Sequence, residues 1–173
     1  MNYNQLELTD GVIFLKPFLK QDAPAHLAGE DKEQQKWISG GRSNLSSVEN
    51  WIEKHLKYWE NNGPIFNFAI WVDGNIVGMV EANLNTNLGE GLKEGQVNIS
   101  YGIYPDFRGK SYAPRAVDLI LEFLHGLKIK QAVIRVNENN INGLKIPLKC
   151  GFKNSGEIKI KNGEKLRIFI KNL

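Results

Sequence analysis

Arg108 and Lys110 stand on either side of Gly109 in the run Tyr104-Pro105-Asp106-Phe107-Arg108-Gly109-Lys110-Ser111-Tyr112-Ala113. Two cations on a small-residue turn are suited to anion capture, here of a diphosphate, provided the flanking elements aim them at one point. Upstream, Val97, Ile99, Tyr101 and Ile103 alternate with Asn98, Ser100, Gly102 and Tyr104, the period of a strand with two unlike faces. Downstream, Ala113, Ala116, Val117, Ile120, Leu121, Leu124 and Leu127 recur at helical spacing, the stripe of a helix lying on a sheet. The turn is therefore expected to gather main-chain N–H groups and a positive helix end around one point, with Arg108 and Lys110 adding charge. The same residues also suit simple helix initiation, with Ser111 as N-cap and Pro114 in the first turn, on a solvated surface loop.

The elements that must position this turn can be read along the chain. Residues 12–18 form a short apolar strand, and a helix begins after Lys20 over residues 21–30. Ser46 or Ser47 caps a helix in which Val48, Trp51, Ile52, His55, Leu56 and Trp59 mark one face and which Asn62-Gly63-Pro64 ends. Phe66, Phe68, Ile70 and Val72 alternate up to Asp73-Gly74, a hairpin turn, and residues 76–84 return as the partner strand. A polar, glycine-rich loop follows over residues 85–95, then the strand, turn and helix described above, and a strand over residues 132–136. A helix opening at Asn140 and a pair of strands turning at Asn162-Gly163 complete the chain. Pro147 should kink or tighten that helix, Gly151 supplies its C′ position, and Phe152 packs back on it. Early strands and later interleaved helices predict an α/β fold with a mixed, mostly antiparallel central sheet and flanking helices.

Residues 101–113 resemble the acyl-CoA pyrophosphate signature of the GNAT superfamily of N-acetyltransferases, Arg/Gln-x-x-Gly-x-Gly/Ala, with Arg108 and Ala113 at its ends. Asn140-Ile141-Asn142-Gly143 and, further on, Lys149-Cys150-Gly151-Phe152 are similar to a second hallmark of that family, an Asn-x-x-Ser helix ending in Lys-x-Gly-Phe. The pair of motifs lies in a compatible strand and helix order, and the branch most resembled is that of the ribosomal-protein N-terminal acetyltransferases. Against the family pattern, Ser111 replaces the central glycine, Gly143 replaces the serine, and Asn98 stands where many members carry glutamate. The tyrosine that some relatives use to protonate the departing thiolate has no equivalent among Ile146, Pro147 and Leu148.

The resemblance implies a single domain over residues 1–173, with a splayed strand pair in its sheet and acetyl-CoA as co-substrate. Ile103, Tyr104, Arg108, Gly109, Lys110, Ser111, Tyr112 and Ala113 would hold the cofactor, with Asn140 bonding its arm and Phe152 packing at the sheet. Its pantetheine would pair with the strand edge ending at Ile103 and Tyr104, and a main-chain N–H would stabilise the oxyanion. For Asn140, a helix cap is the competing role. Glu81 shares a strand face with Val77, Met79 and Asn83 near the expected cleft and is the candidate catalytic proton acceptor; an exposed strand glutamate is the alternative. An α-amine with a reference pKa of about 7.7–8.0 needs only modest help from it. His26 and His55 read as helix-surface or half-buried residues, and His125 as a cation at a helix end. Trp37, Trp51, Tyr58 and Trp59 line either an aromatic entrance or the core, while Glu90 and Glu94 are solvated loop charges or attract a cationic amine.

Composition sets the outer bounds. The chain has 173 residues and a formal net charge of +3, from 22 basic and 19 acidic side chains, so nothing marks it for nucleic acid. No apolar run approaches the roughly 20 residues of a membrane span, and no signal-peptide pattern opens the chain, which points to a cytoplasmic protein. The lone Cys150 excludes an internal disulfide and a cysteine-based metal cluster. The expected activity is direct acetyl transfer to a primary amine, on a protein N-terminus or a small molecule, by a monomer or homodimer without metal. The alternatives are an aminoglycoside or polyamine acetyltransferase, whose pocket would be strongly acidic, and a CoA-binding regulatory domain without catalysis.

Overall fold

A computed structural model describes residues 3–85, 91–160 and 163–173. Its frame is an eight-stranded sheet in the order β1-β2-β3-β4-β5-β6-β8-β7. These strands are β1 (Leu8–Thr9), β2 (Phe14–Pro17), β3 (Ile65–Val72), β4 (Asn75–Asn83), β5 (Gln96–Ile103), β6 (Gln131–Asn137), β7 (Lys153–Lys159) and β8 (Lys165–Asn172). All neighbours pair antiparallel except β5 and β6. The expected hairpin forms between β3 and β4, where Asp73 and Gly74 both take positive φ, 48° and 77°, as a primed turn requires. Glu90 and part of the loop at residues 85–95 lie outside the described residues, as does Asn162 at the last turn.

Alternation divides the sheet into two faces. On one, Phe66, Phe68 and Ile70 of β3, Val80 of β4 and Ile99 of β5 pack under helix α4 (Tyr112–Gly126), through its Ala116, Val117, Ile120 and Leu124. On the other, Ala69, Met79 and Tyr104 pack against Val48 and Ile52 of helix α3 (Leu45–Glu60). Each fully buried isoleucine or leucine here contributes about 1.5–3 kcal/mol.

Before α3 the chain takes a 3₁₀ turn, Lys20–Asp22, and then the short helices α1 (Ala23–Ala28) and α2 (Lys32–Gln34). A π turn, Gln35–Ser39, follows directly. The cap of α3 is Asn44 rather than Ser46 or Ser47, because Asn44 Oδ1 accepts from Ser47 N–H and Ser47 Oγ accepts from Asn44 N–H, both at 2.9 Å. Helix α5 (Ile141–Lys149) ends as expected, with Gly151 at φ 75° and Phe152 N–H closing on Pro147 O at 3.0 Å. Among the described residues no helix is long and apolar enough to cross a membrane.

The outer borders of the sheet differ. β1 is two residues long. β7 is almost wholly exposed, carries a lysine at each end, and breaks register with β8 between Asn154 and Glu157.

Candidate functional site

Strand register opens the site. Tyr104 N–H donates to Val77 O at 2.9 Å, so alternate residues of β5 bond to β4 and those between them direct their main chain the other way. On that side β6 pairs with β5 only as far as Asn98, which faces Val133. Beyond it the strands part, and the N–H groups of Tyr101 and Ile103 face the gap. A cleft of about 360 Å³ runs from this edge past Arg108–Pro114 to the start of α5.

At the mouth of α4, Gly109 and Ser111 both adopt positive φ, 78° and 61°, and such turns gather N–H groups into an anion-binding concavity. Ser111 is the residue before the helix, but its hydroxyl makes no cap bond. The capping role expected of it is therefore absent, and a left-handed L-residue costs about 1–2 kcal/mol.

Arg108 lines the cleft while its guanidinium is held at the wall. It donates two bonds to Asp31, at 2.8 and 2.9 Å, and Nε donates to Ile103 O at 2.9 Å. The Arg108 hydrogen bond holds the Asp31 carboxyl below its ordinary range, and Asp31 Oδ1 also caps α2 by accepting from Gln34 N–H at 2.9 Å. Cleft-lining positive charge comes in addition from Lys110, Lys145 and Lys149. Lys145 was not singled out in the sequence and Lys149 only as the start of the Lys-x-Gly-Phe run, although their spacing of four on one helix was a readable signal.

Asn140 lines the cleft and also caps α5, its Oδ1 accepting from Gly143 N–H at 2.9 Å. Pro147 has no N–H to give the carbonyl four residues back, that of Gly143. Tyr101 supplies the donor: its hydroxyl bonds Gly143 O at 3.1 Å, and burial raises its pKa. A tyrosine thus reaches the first turn of α5 from the sheet.

Ile103, Gly109, Lys110, Ser111, Tyr112 and Ala113 converge on the cleft with Arg108 and Asn140, while Phe152 and Tyr104 do not line it. Phe152 is 3% exposed in the core, with Lys171 Nζ over its ring. The side chain of Tyr104 lies on the α3 face because strand parity turns it there. Its hydroxyl meets His26 Nδ1 at 2.6 Å.

A second pocket of about 450 Å³ lies on that face and includes Glu81, His55, His26, Trp51, Lys54, Glu30, Ser100 and Tyr104. Glu81 sits in a polar row across the sheet, opposite Asn67 and Ser100. His55 is buried rather than half-buried, and its Nε2 lies 3.4 Å from Glu81 Oε2. Its Nδ1 lies 2.7 Å from Trp51 O. A carbonyl only accepts, so Nδ1 carries hydrogen and a neutral ring turns its basic nitrogen toward Glu81.

His26 stacks on Trp51 with ring centroids 5.1 Å apart, and burial lowers its pKa to about 4. Burial would raise the Glu30 carboxyl, but donors outweigh it and hold it low: Ser43 Oγ at 2.7 Å, Ser43 N–H at 2.8 Å and Ser39 Oγ at 2.8 Å. Of the aromatic candidates, Trp59 is core at 1% exposure, Trp51 lines this pocket, and Trp37 lines the cleft along β5. A third groove, about 740 Å³, adjoins both and includes Lys36, Asn98, Arg135, Asn137 and Glu164. Ile38 lines all three.

Burial pushes the Cys150 thiol up to about 12, so it is no ready nucleophile. Among the described residues no group of His, Cys, Asp and Glu is arranged to hold a metal ion.

Residues 13–153 match the family model of the acetyltransferase (GNAT) domain. The fold also matches solved structures. An acetyltransferase of that family from Bacillus anthracis aligns at TM-score 0.79 and 16% identity, over 96% of this chain and 98% of that one. A Salmonella typhimurium acetyltransferase that modifies the N-terminal serine of a 50S ribosomal subunit protein aligns at TM-score 0.82 and 11% identity, over 97% and 99%. An aminoglycoside acetyltransferase in complex with coenzyme A aligns at TM-score 0.77 and 15% identity, over 92% and 94%.

Proposed function

The chain belongs to the GNAT acetyltransferase family, and on that premise we propose that it transfers the acetyl group of acetyl-CoA directly to a primary amine, a protein N-terminus being the favoured acceptor. One observation carries the reading: the basic cleft along the open edge of β5 and the pocket holding Glu81 share Gln34 and Ile38 as a common wall. The chain's own groups fit the co-substrate. The N–H groups around Gly109 and Ser111, with Lys110, Lys145 and Lys149, would hold its phosphates. Tyr101 and Ile103 would pair with its arm as a neighbouring strand would.

In the second pocket Glu81 would accept the proton that the amine must lose, with the basic nitrogen of His55 behind it as a further station. The charge balance bears on the acceptor. Glu30 is already bonded by serines, and the pocket that holds Glu81 is lined by the cation Lys54 as well. The third groove likewise sets Lys36 and Arg135 beside Glu164. A polycation such as an aminoglycoside would find few unspent carboxylates, whereas a single amine on a peptide would be accommodated.

The test is release of free thiol from acetyl-CoA in the presence of peptides with free N-termini, small amines and an aminoglycoside. Peptide-dependent release is expected; binding of acetyl-CoA with no amine-dependent thiol would reject catalysis. Glu81→Gln should lower the rate about 10²-fold at pH 7. The deficit should narrow above about pH 8, where an α-amine deprotonates unaided. An unchanged pH–rate profile would remove Glu81 as the base.

A further inference from the structure

Gln34, the last residue of α2, is among the described residues the one amide side chain whose residue lines both the cofactor-side cleft and the Glu81 pocket. It is 6% exposed, and its Nε2 is buried with no hydrogen-bond partner. A buried amide N–H without an acceptor is unfavourable unless something else supplies one.

Its placement shows where that acceptor would be. The carboxamide lies against the Cα of Gly102, where a methyl group would fall 2.5 Å from Oε1 and 2.7 Å from Nε2. Gly102 is the residue between Tyr101 and Ile103, whose N–H groups face the open gap. The backbone beneath the side chain is tied down: Gln34 N–H donates to Asp31, which Arg108 grips with two bonds. The terminal torsion of a glutamine is soft, so a half-turn can exchange Oε1 and Nε2 while the backbone stays fixed.

We propose that Gln34 is a catalytic residue, its Nε2–H donating to the thioester carbonyl oxygen of acetyl-CoA beside a main-chain N–H of β5. The proposal rests on the acetyltransferase reading. The amine lone pair forms the new C–N bond and the carbonyl π pair moves onto oxygen, where the donors stabilise it. That pair returns as the C–S bond breaks, and coenzyme A leaves as thiolate with the bonding electrons. The ammonium proton passes to Glu81. Gln34 transfers no proton, so a neutral donor suffices, and an ionised glutamate, which only accepts, would not serve.

The experiment compares wild type with Gln34→Leu and Gln34→Glu, using acetyl-CoA isotope-labelled at the thioester carbonyl. Infrared difference spectra of the bound label should show the carbonyl band at lower frequency on wild type than on Gln34→Leu. The value of kcat should fall about 10²-fold, with coenzyme A affinity kept within about twofold, and the melting temperature of Gln34→Leu should be unchanged or higher because an unpartnered donor is gone. Identical bands and rates in wild type and variant would overturn the assignment, as would an affinity loss matching the loss in kcat. If Gln34→Leu does not fold, Gln34→Glu decides by the same measurements, wild-type band and kcat overturning the assignment. Failure of wild type itself to bind acetyl-CoA or to release thiol with any amine would remove the acetyltransferase reading and this assignment together. An active wild type matched by both variants would remove the assignment alone.

Discussion

Ser111 shows how a single side chain can sit against its backbone's preference. It holds φ 61° at the mouth of α4, with no cap bond in return, because the turn must aim its N–H groups into the cleft. Ser111→Gly should relieve about 1 kcal/mol of this strain, visible as a melting temperature some 2–4 °C higher. Its affinity for coenzyme A should stay equal or improve. A lower melting temperature would show that the hydroxyl has a structural use. The sequence named Ser111 as the departure from the family pattern, but only the backbone angle explains why glycine is favoured there. Strand alternation put Glu81 on one face with Met79, as observed, but also with Val77, which the irregularity where β3 pairs with the start of β4 turns into the core under α4. The neighbouring His55 was not legible as its partner, because Trp51 O and Glu81 meet its ring from different elements.

Helix α5 depends on the sheet for one of its hydrogen bonds. Pro147 withholds the N–H due to Gly143 O, and Tyr101 of β5 replaces it from across the fold. Tyr101→Phe should therefore destabilise the protein by about 1 kcal/mol. Amide hydrogen exchange should quicken in the first turn of α5 rather than in α4, and uniform exchange across both helices would contradict this. The major helices and strands were readable because each keeps one period over two or more turns or pairs. α2 and the π turn after it were not: they are too short for a period to register, and their position follows from the Arg108–Asp31 pair, far apart in sequence. With them went Gln34 and Ile38, so of that wall of the site only Trp37 was named from the sequence.

The stability of the whole molecule should follow the buried His26 ring. Its pKa is depressed to about 4 from 6.5, so between those values the unfolded chain binds more protons than the folded one. Stability is then full above about pH 6.5 and falls as the pH drops toward 4, by about 3 kcal/mol at most from this residue. Chemical denaturation from pH 7 to 4 should show that decline, and His26→Gln should flatten it; an equal slope in the variant would place the acid sensitivity elsewhere. The fold as a whole was legible in outline, since the Asp73-Gly74 hairpin and the strand–turn–helix at Arg108 set its antiparallel half and its opening. The parting of β5 from β6 depends on tertiary pairing that local pattern does not record, whereas the cap at Asn44 is a local reciprocal pair with Ser47 that was open to a sequence reading and was assigned to the serines instead. The two borders of the sheet have a consequence for crowding: a stub of two residues on one side and a bulged, lysine-ended strand on the other offer no long flat row of free amides. Molecules jostling at high concentration are thereby denied a template for stacking into fibrils.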